Sequence, residues 1–144
     1  MSIRRGAGLT AVAFAALLLS LTIAPVAAAG FKSGTYEGTT SQETEIRFTA
    51  TQLAAKKFFL SVTLDCEDGT MREFTGEGAK APIGPRGGFT AEFLGDGITS
   101  VVSGKLKRRK GSGTIETAGT LPGSGECSSS VDWSARKQKP TAAG

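Results

Sequence analysis

An antiparallel all-β domain carrying one disulfide is the fold class this sequence predicts, on three observations. Short runs of period-two alternation recur along the chain, turn residues separate them, and no segment carries a helical repeat of useful length. The most informative run is Lys57 to Gly69, KFFLSVTLDCEDG. It places Phe58, Leu60, Val62, Leu64 and Cys66 on one face and Lys57, Phe59, Ser61, Thr63 and Asp65 on the other. Near the C-terminus Cys127, Ser129, Val131, Trp133 and Ala135 make a second such face, so both cysteines share a phase with large apolar residues. A Cys66–Cys127 bridge in or beside the core is therefore expected.

The ends of the chain set its compartment. Arg4 and Arg5 form a basic start, Leu9 to Val26 is almost wholly apolar, and Ala27-Ala28-Ala29 fits a signal-peptidase site. Residues 1-29 read as a secretory signal peptide, residues 30-137 as the secreted β-domain and residues 138-144 as a flexible polar tail. The alanine triplet and the polar chain after it favour cleavage over a retained anchor, and no cysteine follows the apolar run to carry a lipid. In an oxidising compartment two cysteines are expected to pair. Their loop of about sixty residues makes the bridge worth roughly 4 kcal/mol in the chain-entropy model.

The strands follow in order. Gly34 to Thr40 has Tyr36, Gly38 and Thr40 on one face, and Glu45 to Thr51 puts Ile46, Phe48 and Ala50 inward. Gln52 to Lys56 reads as the connection into the central strand. Glu67-Asp68-Gly69 turns the chain into Met71 to Gly76. Ala79 to Gly88, with Pro82, Pro85 and three glycines, reads as a loop. Phe89 to Phe93 alternates with both phenylalanines inward, and Thr99 to Leu106 follows with Val102, Gly104 and Leu106 inward. Lys107 to Gly111 is a hairpin tip; Gly113 to Leu121 and Cys127 to Arg136 complete eight strands. Because the cysteines tie the third strand to the last, a β-sandwich with the bridge spanning two sheets is expected over a flattened barrel.

The run Gly34-Thr35-Tyr36-Glu37-Gly38-Thr39-Thr40-Ser41-Gln42, the central cysteine followed by Asp68-Gly69, the Phe89 strand and the closing Cys127 with Trp133-Ser134-Ala135 resemble a group of small secreted β-domains. These occur in uncharacterised bacterial proteins, mainly actinobacterial. Glu43 stands where that pattern has glycine. The resemblance implies the fold, export and the disulfide, and no activity.

Chemistry is bounded by what is missing. The chain has no histidine and no asparagine, which excludes Ser-His-Asp and Cys-His sites, HExxH metal sites and N-glycosylation. Two cysteines make neither a zinc site of cysteines nor a CxxC pair, and no cofactor is expected. Removing Arg4 and Arg5 from the 17 basic residues leaves 15 against 13 acidic ones, a balance unlike that of a nucleic-acid binder.

The concentrated charge is Lys105, Lys107, Arg108, Arg109 and Lys110, the candidate contact for an anionic cell-surface polymer; its simpler reading is a solvated hairpin tip. Phe59, alone among polar neighbours, is either covered locally by a loop or a candidate exposed contact. Trp133 is expected in the core near the disulfide. Glu37, Glu45, Asp65, Glu67 and Asp68 supply carboxylates for a glycosidase only if two of them face each other across roughly 5 to 9.5 Å. Asp65-x-Glu67-Asp68-Gly69 reads as a turn rather than a calcium loop.

The function these features suggest is a non-catalytic secreted monomer that binds a surface, polymer or protein. The alternatives are an inhibitor of a secreted hydrolase, a small-ligand carrier with an apolar cavity, and a carboxylate glycosidase.

Overall fold

Alternation of apolar and polar side chains builds nine antiparallel strands, and no helix, across residues 30–140, the part of the chain that this computed structural model describes. The expected signal peptide and the last four residues of the tail lie outside it. The strands are β1 (Gly34–Thr40), β2 (Glu45–Ala50), β3 (Ala54–Cys66), β4 (Met71–Glu77), β5 (Ala81–Pro82), β6 (Gly88–Gly95), β7 (Ile98–Lys107), β8 (Lys110–Leu121) and β9 (Gly125–Lys137). All eight expected strands are present. The ninth, β5, is a two-residue strand inside the Ala79 to Gly88 stretch, paired with Ala54 and Ala55.

Strand β3 also starts earlier than alternation indicates. The hydroxyl of Thr51 accepts the N–H groups of Leu53 and Ala54, which confines the turn to three residues and leaves Ala55 fully buried in the strand. Odd-numbered Ala55 and even-numbered Phe58 can both face inward because a bulge lies between them. Phe48 of β2 faces the pair Lys57 and Phe58, and Lys57 takes the left-handed φ of 54° that the extra residue requires. Beyond it, Phe58 to Cys66 alternates without interruption.

The strands form one continuous sheet in the order β4-β3-β2-β1-β9-β8-β7-β6, folded over so that its halves face each other. This corrects the expectation of two separate sheets. The last strand pairs with the first along Trp133 to Lys137, and the same strand reaches the third at Asp65↔Ser128 and Cys66↔Cys127. Both pairings coexist because the β1–β2 hairpin is short. Where it ends, β3 and β9 meet and close β3, β2, β1 and β9 into a ring.

The Gln42 side chain fills that fork. Its amide accepts from the N–H of Thr63 and donates to the carbonyl of Thr63, each at 2.9 Å, and donates to Ser129 Oγ at 3.3 Å. The disulfide thus joins directly opposed residues of neighbouring strands, with Cα atoms 4.0 Å apart, and does not span the core.

Between the halves lies one core, led by aromatic rings. Tyr36, Phe48 and Phe58 stack in series at 5.4 and 5.1 Å, and Phe48 meets Phe89 and Trp133 of the opposite half at 5.6 and 5.7 Å. Trp133 lies six residues from Cys127, roughly 20 Å along the strand, so it packs on Phe48 and Phe89 and not beside the disulfide as expected. Its Nε1 donates to the Ser103 carbonyl at 3.1 Å. Gly104 and Gly111 make its berth, since a Cβ at Gly104 would collide with the indole and one at Gly111 with Leu106 and the indole.

Candidate cationic face

Strand pleat sends alternate residues outward, and register decides which of them become neighbours. On the outer face Lys107 stands opposite Lys110, Lys110 opposite Arg136, Arg136 opposite Glu37, Glu37 opposite Arg47, and Arg47 opposite Phe59. One rank of side chains therefore crosses six strands, and its first three members are cations.

A second rank beside it holds Lys105, Ser112, Ser134 and Thr39. The two ranks together line one depression of the surface. The resulting open groove, of about 460 Å³, is lined by Lys105, Lys107, Lys110, Arg136, the serine hydroxyls and the single carboxylate of Glu37.

The expected basic cluster is thus divided. Lys105, Lys107 and Lys110 share the groove, whereas Arg108 and Arg109 form the turn and line a separate recess with Gly30, Phe31 and Lys32. Arg108, at φ 58°, is held through its backbone. Its carbonyl accepts from Lys32 N–H at 2.8 Å and from the Tyr36 hydroxyl at 3.3 Å, and its N–H donates to Gly30. Arg136 escaped the sequence reading because it joins the cluster only through the β8–β9 register. Its outward phase on the last strand was visible; its neighbours were not.

Phe59 is half-buried rather than fully exposed. The Arg47 guanidinium lies 5.3 Å from its ring centroid, a cation–π contact, and Arg47 is paired in turn with Glu45 at 3.1 Å. The other carboxylates named from the sequence are scattered. Glu37 belongs to the cationic groove, while Asp65 and Glu67 line a groove beside the disulfide together with Glu126. Asp68 accepts from the hydroxyl and N–H of Thr70, which hold its carboxyl below the usual range. Among the described residues no three metal-ligating side chains cluster. The interior, where a carrier would hold its ligand, is occupied by the aromatic core.

Also among the described residues, no helix is long and apolar enough to cross a membrane. No family model matches the sequence, and no curated protein matches it. A crystal structure of a protein of unknown function from Bacteroides ovatus is similar to this chain at a TM-score of 0.41 and 11% identity, over 76% of this chain and 43% of that one. The chain spans less than half of that protein's length.

Proposed function

We propose that this is an exported, disulfide-closed β-domain that binds an anionic cell-surface polymer in the groove formed by β7, β8, β9 and β1. The observation that carries the reading is the direct opposition of Lys107, Lys110 and Arg136 on three neighbouring strands. Like charges placed opposite each other on a sheet destabilise it, so this arrangement costs the fold something that an anionic ligand would recover. Strand spacing sets successive cations roughly 5 Å apart, a close array suited to a chain of phosphate or carboxylate groups. Hydroxyls of Ser112 and Ser134 lie in the adjacent rank as further donors. No aromatic side chain lines the groove, which disfavours stacking on nucleic-acid bases. Export rests on the sequence of residues 1-29 and accords with the formed disulfide.

The test is binding of poly(glycerol phosphate), with polyglutamate and neutral dextran alongside, to the parent protein and to Lys107→Ser, Lys110→Ser and Arg136→Ser. The expected result is binding of the two polyanions, weakened about tenfold by raising salt from about 0.05 to 0.5 M and reduced at least as much by Lys110→Ser. Lys110→Ser should at the same time leave the fold as stable or raise its stability by a few tenths of a kcal/mol, because it relieves two like-charge pairs. Unchanged affinity in all three variants, or equal retention on dextran, would refute the proposal.

A further inference from the structure

The folded sheet does not close between its two end strands. No hydrogen bonds join β4 to β6, yet Phe93 of β6 packs against Gly76 of β4 and meets Phe58 edge-on at 5.7 Å. The two edges consequently flank a single groove of about 550 Å³, and each turns an unpaired main-chain edge toward it.

The pleat sorts the side chains that border this groove. Glu73 and Glu77 on β4 and Glu92 on β6 are exposed on the outer phase, Asp96 joins them from the β6–β7 turn, and no lysine or arginine lines the groove. On the inner phase lie half-buried Phe74, Gly76 and buried Phe93, an apolar floor. Leu94, 75% exposed, stands on the rim.

We propose that this seam accepts an extended basic segment of a partner protein as an added strand, with lysines or arginines alternating with apolar residues. A strand laid along either edge takes main-chain hydrogen bonds from it and points its side chains alternately out and in. Those pointing out meet Glu73, Glu77 and Glu92; those pointing in meet Phe74 and Phe93. The exposed Leu94 covers the aliphatic stem of a basic side chain. A second copy of this chain is a poor occupant, because its own seam edges would bring carboxylates against carboxylates.

The probe is a fluorescein-labelled octapeptide of alternating lysine and valine, compared with its glutamate–valine counterpart and with a form N-methylated at alternate residues, by anisotropy on the oxidised protein. Binding of the lysine peptide alone is expected. Glu77→Lys with Glu92→Lys should weaken it at least about tenfold, and so should N-methylation, while Lys110→Ser leaves it unchanged. Both glutamates are exposed, and the near-ultraviolet signal of Trp133 checks that the variants are folded. Absence of binding, affinity indifferent to the charge reversal, or equal affinity for the N-methylated peptide would overturn the proposal. So would a dimer of the protein that dissociates on Glu77→Lys, which would place a second copy in the seam.

Discussion

Glu43 and Lys57 hold their backbones at φ 63° and 54°, in the left-handed region where a side chain crowds the following carbonyl. Glu43 closes the β1–β2 turn, and Lys57 is the extra residue of the β3 bulge. Glycine at either site removes the crowding and gives back part of the gain by enlarging the freedom of the unfolded chain. Glu43→Gly and Lys57→Gly should each stabilise the domain by about 0.5–1 kcal/mol in urea unfolding, and Lys57→Val should destabilise it.

Tyr36 gives the residue scale a pH dependence. Burial raises its hydroxyl above the usual value of about 10, opposed by the Arg109 charge. Its stabilising effect is therefore complete below about pH 10 and is lost as pH climbs through the raised value. Tyr36→Phe should cost about 1 kcal/mol at pH 7 and remove this alkaline loss, measured as the difference between the two unfolding curves. Tyr36 is the only tyrosine, so phenolate absorbance reports its titration directly.

At the scale of elements, the inward faces of most strands were legible in the sequence because period two survives any choice of partner. Ile46, Phe48 and Ala50, or Phe89 and Phe93, face inward in whichever sheet they join. What alternation cannot carry is a change of phase or a change of neighbour. The bulge at Lys57 hid the start of β3, and β5 is too short to alternate at all.

The fork at Gln42 was equally hidden, although Ser41-Gln42 was already among the landmarks of the resemblance. In this chain both residues hold the turn in place. The Ser41 N–H donates to the Asp132 carbonyl at 2.8 Å while Gln42 bridges β3 and β9, so the turn is stitched to both strands. Gln42→Ala should destabilise by about 1–2 kcal/mol, since it strands backbone groups of Thr63. Replacing both cysteines with serine should cost more, about 4 kcal/mol for a bridge across 61 residues, with the fork opening first in hydrogen exchange.

For the whole molecule, a nearly balanced charge conceals strong segregation. Cations gather on the face of β7, β8, β9 and β1, whereas carboxylates border both the β4/β6 seam and the groove beside the disulfide. The sequence showed the KLKRRK block but assigned its charges to one tip; folding sends Arg108 and Arg109 one way and recruits Arg136 from some thirty residues downstream to the other three. Segregation of this kind orients the domain in the field of a charged surface, with the cationic face inward and the seam outward. On the two proposals made above, one surface holds the polymer while the β4/β6 seam takes the partner strand.

The most direct test of the cationic face is a titration of the isotopically labelled protein with a short glycerol-phosphate oligomer, followed by amide chemical shifts. Shifts centred on Lys105, Lys107, Lys110 to Ser112, Ser134 to Arg136 and Glu37 to Thr39, lost in Lys110→Ser and retained when Arg108 and Arg109 are changed to serine, are the predicted result. Shifts confined to the Arg108–Arg109 tip, or to the β4/β6 seam, or absent altogether at low salt, would contradict it.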